Sequence, residues 1–171
     1  LLQQGDYEGA KAYLSTLTKT IAANTTIMNT HNPLLDALLS KKYEEASRKG
    51  VMVYFDLPDL RDMPMDQTDL VIVLSNLLNN AIEAAAQADP PEIYVRMRKS
   101  EEEVVLSVRN RVKEELNLVD GQLPRISQKG AGHGFGLWNV QDVLKKYGGE
   151  YTISCRECWF RFTCTIPLRK L

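Results

Sequence analysis

The order of two hydrophobic periodicities along the chain limits its fold more than any other feature. Segments whose apolar residues recur at helical intervals of three and four are interspersed with segments that alternate apolar and polar residues, as strands do. The predicted helices are residues 6–22, 33–49, 66–86 and 135–147, and the predicted strands are residues 51–57, 92–99, 104–112, 150–155 and 159–166. Strands that follow one another directly form hairpins. We therefore predict an α+β fold, a two-layer α/β sandwich with helices on one face of a mixed, mainly antiparallel sheet.

The length and the charge balance exclude several classes of protein. The chain has 171 residues, enough for one domain or for one domain with an attached helical segment. Its 21 lysines and arginines against 22 aspartates and glutamates argue against a broad basic surface for nucleic acid. Its apolar runs are far shorter than the ~20 residues of a membrane-spanning helix. We expect no nucleic-acid partner and no membrane contact within this chain.

The cysteines and the first residue bear on the cellular setting. Cys155, Cys158 and Cys164 crowd near the C-terminus, and an odd, clustered set is unlike the disulfide framework of a secreted domain. Cys155 and Cys158 also lack the further ligands that a zinc site needs. We therefore expect a reducing, cytoplasmic setting. Because the chain starts at Leu1 without a methionine, we expect a piece of a longer protein, whose upstream part leaves room for a membrane anchor.

The predicted helix at 66–86 carries an unusual polar side. Its apolar face consists of Leu70, Leu74, Leu77, Leu78, Ala81 and Ala85. Asn76, Asn80 and Glu83 lie on the opposite side, with Asp69 close to them. A solvated surface is the plain interpretation, but asparagine is a poor helix former and solvated helix surfaces usually carry Lys, Glu and Gln. Two asparagines one turn apart favour a recruited amide oxygen, which is the kind of ligand that Mg²⁺ takes beside phosphates and water.

A glycine-rich segment precedes the predicted helix at 135–147. Residues 129–137 read Lys-Gly-Ala-Gly-His-Gly-Phe-Gly-Leu. Glycine allows the backbone to approach a ligand closely, and a helix N-terminus offers unpaired N–H groups to an anion. A flexible hinge is the alternative interpretation. The segment is neither a P-loop, which needs Gly-Lys-Ser/Thr after a strand, nor a dinucleotide-binding turn of a βαβ unit.

Taken together, these two segments resemble the ATP-binding fold shared by gyrase, heat-shock chaperone, histidine-kinase and mismatch-repair ATPases, the Bergerat-type fold. Residues 76–84, Asn-Leu-Leu-Asn-Asn-Ala-Ile-Glu-Ala, look like the N box of sensor histidine kinases, and residues 129–137 look like their G2 box. The similarity extends over roughly residues 30–168 and is strongest to kinases related to quorum-sensing peptide receptors. It implies that residues 1–24 are the C-terminal part of a helical dimerisation and phosphoacceptor hairpin and that residues 25–171 are the ATP-binding catalytic domain.

The resemblance also implies roles for single residues. Asn80 would be the Mg²⁺ ligand that bridges metal and triphosphate, and Asn76 would lie near the γ-phosphate, so these two form the catalytic pair. Lys129 and residues 113–132 would form a lid over ATP, and the glycines that follow would wrap its phosphates. The implied nucleotide-binding set is Asn76, Asn80, Glu83, Asn110, Lys129, Gly130, Gly132, His133, Gly134, Phe135, Gly136 and Leu137.

Two positions depart from the pattern of that family. The adenine-binding segment is usually Asp-x-Gly-x-Gly, whereas residues 108–112 read Val-Arg-Asn-Arg-Val. Asn110 can still accept a hydrogen bond from the adenine amino group through its side-chain oxygen. Glu83 stands where many kinases carry a basic residue, and a carboxylate there repels phosphate unless a metal ion or water lies between them.

The resemblance predicts a histidine protein kinase of a two-component system. MgATP would donate its γ-phosphoryl group to a histidine on an adjacent helix, of its own or a partner subunit in a homodimer, and a response-regulator aspartate would take the group. The acceptor helix would precede this chain, so the isolated chain would bind nucleotide without phosphorylating itself. The alternatives are a degenerate nucleotide- or partner-binding module and a serine kinase or ATPase of the same superfamily.

Overall fold

In the part of the chain that the computed structural model describes, three helices with defined ends lie beside one five-stranded sheet. The structure describes residues 9, 11–14, 28–63, 65–118 and 136–168. In chain order the elements are α1 (Pro33–Arg48), β1 (Met52–Asp56), α2 (Gln67–Ala85), β2 (Glu92–Lys99), β3 (Glu103–Arg111), α3 (Gly136–Lys146), β4 (Glu150–Arg156) and β5 (Trp159–Pro167). The strand order is β1-β2-β3-β5-β4, with β1 parallel to β2 and the other pairs antiparallel. The predicted α+β class with a mixed, mainly antiparallel sheet is confirmed.

Local capping signals set the ends of α1. The Asn32 side chain accepts a hydrogen bond from the backbone N–H of Leu35 at 3.2 Å, and Pro33 occupies the first turn. Both residues suit a helix start, because the cap satisfies an orphan N–H and proline has no N–H to lose. Gly50 follows the helix with a φ of +71°, a left-handed conformation in which glycine ends helices. The helix predicted for residues 33–49 is confirmed.

Helix α2 lies across the middle of the sheet. Asp66 caps its N-terminus by accepting a hydrogen bond from the N–H of Thr68 at 2.8 Å. Its apolar side packs on β2 and β3, and its flanks contact α1 and α3. Every apolar residue that the sequence assigns to its core face is buried: Leu70, Leu74, Leu77, Leu78, Ala81 and Ala85.

The inner face of the sheet forms the other half of the core. Along β3 the burial alternates strictly, so that residues 104, 106, 108 and 110 face the helices. The same alternation puts Ile93, Val95 and Met97 of β2 and Phe162, Cys164 and Ile166 of β5 on that side. The helices therefore cover one face of the sheet, and the opposite face carries the outward residues of all five strands.

The described residues bear on the remaining sequence predictions only in part. Of the helix predicted at 6–22, residues 9 and 11–14 are described, and they are helical. The side chains of Tyr13 and Leu14 pack against the core. The boundary between residues 24 and 25 lies outside the described residues and stays a prediction. Within the described parts of the chain, no helix is long and apolar enough to cross a membrane.

Candidate functional site

The two asparagines singled out on α2 differ in their surroundings. Asn76 is partly buried, and its side-chain amide nitrogen donates to the backbone carbonyl of Ile72 at 2.8 Å. This bond occupies the donor end of the carboxamide, so the oxygen Oδ1 points away from the helix backbone. Asn80, one turn further along, is exposed. The polar side of α2 thus presents one oriented and one solvent-accessible carboxamide.

The start of α3 lies directly against these two carboxamides. A Cβ placed on Gly136 would come within 3.0 Å of Asn76 Oδ1 and 3.4 Å of Asn80 Nδ2. A side chain at this position would displace the oriented oxygen of Asn76. The tertiary structure therefore brings together Asn76, Asn80 and Gly136, three residues that the sequence places in two separate motifs.

A polar cluster connects the N-terminal end of α2 to the C-terminal end of α3. Asp69 Oδ2, at the N-terminus of α2, accepts hydrogen bonds from Lys146 Nζ and from the Tyr147 hydroxyl, both at 2.6 Å. The Tyr147 hydroxyl also accepts a hydrogen bond from the backbone N–H of Asp66 at 3.1 Å. Burial, and secondarily the hydrogen bond to Asp69, raises the pKa of Tyr147. Because Gly136 meets the middle of α2 while Lys146 meets its start, the two helices run antiparallel.

The environment of Asp69 differs from the sequence prediction. The helical periodicity places it with Asn76, Asn80 and Glu83 on a polar, outward side, whereas the structure buries it completely. The reason is tertiary, since the C-terminal end of α3 covers it. The only sequence features related to this burial are an acidic residue seven positions before Asn76 and a Lys-Tyr pair at the end of the last predicted helix. Periodicity alone does not connect those two sites.

Asn110 lies on the helix-facing side of the sheet. It is 3% exposed, and in the sheet register it stands between Ile93 of β2 and Phe160 of β5. Its side-chain nitrogen donates to the carbonyl of Arg111 at 2.9 Å, which leaves the oxygen end as the acceptor. An acceptor oxygen is what hydrogen bonding to an adenine amino group requires.

The other predicted nucleotide-binding residues are described only in part. Glu83 is partly buried on α2, one turn beyond Asn80, and Leu137 is partly buried and packs against the core. Six predicted residues lie outside the described part of the chain: Lys129, Gly130, Gly132, His133, Gly134 and Phe135. Their roles stay predictions, as does the lid at residues 113–132, of which only residues 113–118 are described.

A cavity of about 260 Å³ opens beside Asn76 on the side away from the sheet. It is lined by Gly9, Tyr13, Lys42, Val71, Ile72, Ser75, Asn76, Asn79 and Asn139. The Tyr13 hydroxyl and Ser75 Oγ are buried there without a hydrogen-bond partner among the described residues. Burial, and secondarily the nearby Glu45, raises the pKa of Tyr13. The sequence reasoning missed Ser75, because a lone serine beside the Asn-bearing face has no distinguishing spacing.

The metal-binding capacity of the site depends on the asparagines. Within the described ranges no three His, Cys, Asp or Glu side chains are grouped so that they could hold a metal ion. The exposed carboxamide oxygen of Asn80 is a hard ligand of the kind that Mg²⁺ accepts. Since Mg²⁺ commonly keeps water and phosphate oxygens among its ligands, one protein oxygen beside a triphosphate is a chemically suitable donor set.

Comparisons with known proteins identify the family to which the chain is similar. A family model described as a GHKL domain matches residues 65–167. Sensor protein CitS of Bacillus subtilis (strain 168) is 28% identical over 150 residues, which are 83% of this chain and 27% of CitS. Sensor histidine kinase DpiB of Escherichia coli (strain K12) is 29% identical over 142 residues, which are 76% of this chain and 26% of DpiB.

A solved structure matches the fold as well. The catalytic domain of histidine kinase ThkA superimposes with a TM-score of 0.61 at 26% identity, covering 78% of this chain and 92% of that domain. The chain spans about a quarter of the length of the curated relatives that it matches. These relatives are sensor proteins, and the finer resemblance to quorum-sensing receptors stays a prediction.

Proposed function

The chain belongs to the GHKL domain family, as the ATP-binding catalytic domain of a sensor histidine kinase, and from this premise we propose that it binds MgATP and donates the γ-phosphoryl group to a histidine. The observation that carries the proposal is the contact of Gly136 with the carboxamides of Asn76 and Asn80. It joins the two motifs into one polar site at a helix N-terminus, where backbone N–H groups favour an anion.

Each described residue of the site has a distinct task in this proposal. The Asn80 oxygen holds Mg²⁺, which when bound neutralises phosphate charge, and Asn76 Oδ1 is held in place by the bond from its own amide to Ile72. The absence of a side chain on Gly136 lets the start of α3 approach both asparagines closely, so that its backbone N–H groups lie near them. Asn110 accepts a hydrogen bond from the adenine amino group. Phosphoryl transfer depends mainly on such positioning and charge neutralisation.

The acceptor of the phosphoryl group is a histidine on a helix outside this chain. His31 is unsuited to that role, because its backbone has a φ of +62° at the edge of α1 and its Nδ1 lies 3.3 Å from Asp59. We propose that residues 1–24 are the end of the dimerisation hairpin and that the acceptor helix precedes them. A response-regulator aspartate then takes the group, in the cytoplasm, where ATP is available, and the full-length protein acts as a homodimer.

Titration calorimetry with ATP tests the nucleotide site. We expect Mg²⁺-dependent binding by the wild type and by Asn79→Ala, and loss of that dependence in Asn80→Ala. Asn79 is the matched control, because it is also an exposed asparagine on α2 and undergoes the same change in helix propensity.

Two outcomes would contradict the proposal in different ways. Equal Mg²⁺-dependent binding by all three proteins would remove Asn80 from its metal role. Absence of binding by a folded wild type at about 1 mM ATP would favour the degenerate binding module, to which the substitution of Asn110 for the family aspartate also points. Transfer of phosphate to a serine of a partner protein would favour the serine-kinase alternative.

A further inference from the structure

The face of the sheet that the helices leave uncovered carries an organised set of aromatic and arginine side chains. One row across four strands is Tyr54, Tyr94, Arg109 and Arg161, each paired with the next in the sheet register. The neighbouring row contains Arg111 paired with Trp159. We call these six residues the arginine–aromatic surface. It lies on the opposite side of the sheet from Asn76, Asn80 and Asn110.

Five of the six side chains of this surface contact one another through their rings and guanidinium groups. The rings of Tyr54 and Tyr94 are parallel stacked, with centroids 4.6 Å apart, and Trp159 meets Tyr94 edge-on at 5.6 Å. The Arg109 guanidinium lies 4.4 Å from the Tyr94 ring centroid and 4.8 Å from that of Trp159, and Arg111 lies 4.5 Å from Trp159. Contact with two adjacent rings orients the planar guanidinium of Arg109 before any partner binds.

The positive charge at the centre of this surface is not neutralised within the described chain. Arg109 and Arg161 stand directly opposite each other on β3 and β5, an arrangement that is unfavourable for two like charges. The structure gives neither of them a carboxylate partner among the described residues. Asp56 already binds Arg96 and Arg98. This repulsion persists in the free chain and would be relieved by an anionic partner.

Of the other acidic residues on the outer face, Glu103 and Glu150 lie away from this centre, whereas Glu92 borders it. Glu150 pairs with Thr165 on β5, and four residues of strand separate that position from Arg161, about 13 Å. Glu92, paired with Met52, is the first residue of β2 and lies two residues, about 7 Å, from Tyr94 on the same face. Arg111 Nε is buried without a hydrogen-bond partner, while its other nitrogen donates to the carbonyl of Glu157 at 3.1 Å. The surface therefore retains an excess of donors over acceptors.

We infer that the arginine–aromatic surface is a docking site for a carboxylate-rich segment of another protein. Guanidinium groups fixed against rings match the planar, two-oxygen geometry of a carboxylate. Met52 and Tyr54, 56% and 41% exposed, extend the surface as an apolar margin at the sheet edge. Tyr, Trp, Met and Arg are the residue types enriched in protein interfaces.

The same contacts disfavour other anionic partners. Single-stranded nucleic acid binds open sheets through aromatic rings that bases can stack upon, and here guanidinium groups already cover Tyr94 and Trp159. Lipid surfaces are commonly bound by clusters that include lysine, whereas the described outward positions of the strands carry arginine as their only cation. A protein carboxylate satisfies both the charge and the geometry.

Fluorescence anisotropy with a labelled poly-L-glutamate peptide tests this inference. At low ionic strength we expect binding that weakens about tenfold in the double variant Arg109→Gln/Arg161→Gln, the loss of two exposed charge pairs. The matched control is Arg48→Gln/Lys49→Gln, which removes two exposed charges at the end of α1 and should bind within twofold of the wild type. A melting temperature for the double variant at or above that of the wild type would exclude unfolding, because the substitution relieves the like-charge pair.

Several outcomes would overturn the inference. One is an equal loss of peptide binding in both double variants, which would show that the affinity depends only on the net charge of the protein. Others are tighter binding of phosphatidylserine vesicles or of single-stranded oligothymidylate than of the peptide, and no peptide binding by the wild type at about 1 mM. A wild-type dimer that the Arg109→Gln/Arg161→Gln change dissolves would assign the surface to a second copy of this chain. None of these readouts depends on nucleotide, so they are separate from the test of Asn80.

Discussion

At the scale of single residues, the site depends on the absence of a side chain as much as on the asparagines. The Asn76 carboxamide is oriented by its hydrogen bond to the Ile72 carbonyl. Its oxygen lies close to the position that a side chain on Gly136 would occupy. Gly136 is the first residue of α3, and its backbone is not left-handed. Glycine is therefore needed here for its small size and not for its conformational freedom. A methyl group there tests the site without removing any polar atom.

We predict that Gly136→Ala weakens nucleotide binding about tenfold while the domain stays folded. The added Cβ would lie 3.0 Å from Asn76 Oδ1, so the carboxamide must shift by a few tenths of an ångström, which weakens its bond to Ile72 and moves the oxygen out of position, at a cost of about 1 kcal/mol. Calorimetric ATP titration and circular dichroism measure the two parts. Gly9→Ala is the control, because a Cβ on that exposed helical glycine meets nothing within 4 Å. Unchanged affinity in Gly136→Ala would show that the contact does not shape the site.

At the scale of secondary-structure elements, the antiparallel pair α2 and α3 is held at two points. One is the packing of Gly136 against Asn76 and Asn80, and the other is the cluster of Asp69 with Lys146 and Tyr147. The second point lies away from the predicted nucleotide contacts. It orients α3 relative to α2.

We predict that Lys146→Met lowers the free energy of unfolding by about 2 kcal/mol and that Asp69→Asn lowers it by about 1 kcal/mol. The side chain of Asp69 is 1% exposed and that of Lys146 is 57% exposed. Removing the lysine therefore leaves a buried carboxylate with one hydrogen-bond donor fewer, whereas Asp69→Asn removes the buried charge and leaves the lysine charge largely exposed. Urea unfolding measures both differences. Lys145→Met, an exposed neighbour with the same loss of charge, should be close to neutral, and the reverse order of the first two would contradict this account.

The hairpin of β4 and β5 contains a turn whose residues are poorly suited to it. Glu157 and Cys158 have φ values of +52° and +58°, as the two central positions of a type I′ turn require, and such positions favour Asn and Gly. We predict that Cys158→Gly raises the free energy of unfolding by about 1 kcal/mol. The backbone bond from the Val112 N–H to the Cys158 carbonyl, at 3.0 Å, needs no side chain.

The midpoint of urea unfolding measures this effect too. Gly50→Ala serves as the comparison of opposite sign, because Gly50 has a φ of +71° and alanine should lower stability there by about 1 kcal/mol. A Cys158→Gly variant less stable than the wild type would mean that the thiol contributes packing that outweighs the backbone strain.

At the scale of the whole molecule, the central strands contribute most of the sheet's part of the buried core. Strand β3 lies between β2 and β5, and α2 packs upon it, while β1 and β4 are the edges of the sheet. The largest fully buried side chains on the inner face, among them Phe162, Met97 and Leu106, belong to the three central strands. Opening the molecule at β3 therefore requires the loss of its core.

We predict that the amide hydrogens of β3 exchange with solvent most slowly and those of β1 and β4 faster. Central strands exchange through global unfolding, whereas edge strands open locally at lower free energy. Hydrogen exchange followed by NMR measures both groups in one experiment. Exchange of the β1 amides at the β3 rate would contradict the prediction and indicate that the sheet opens as one unit.

The sequence alone determined the type and order of the elements, because periodicity and capping are local properties of the chain. The three helices and five strands whose bounds are described stand within about two residues of their predicted bounds, and the Asn32–Pro33 start of α1 has the predicted cap. The segments at residues 76–84 and 129–137 were together sufficient to identify the family, since their residue types occur at a characteristic spacing and order along the chain. A functional role for the asparagines could also be predicted, because asparagine is a poor helix former and its presence in the middle of a helix lowers helix stability.

The tertiary structure decided which of these residues meet. The antiparallel docking of α3 on α2 set Gly136 against Asn76 and buried Asp69 beneath Lys146. The register of β3 with its neighbours placed Arg109 beside Tyr94 and Arg161. Periodicity reports only which side of an element a residue occupies. The partner across the interface depends on register and docking between segments far apart in the chain, which are set by the packing of the whole core.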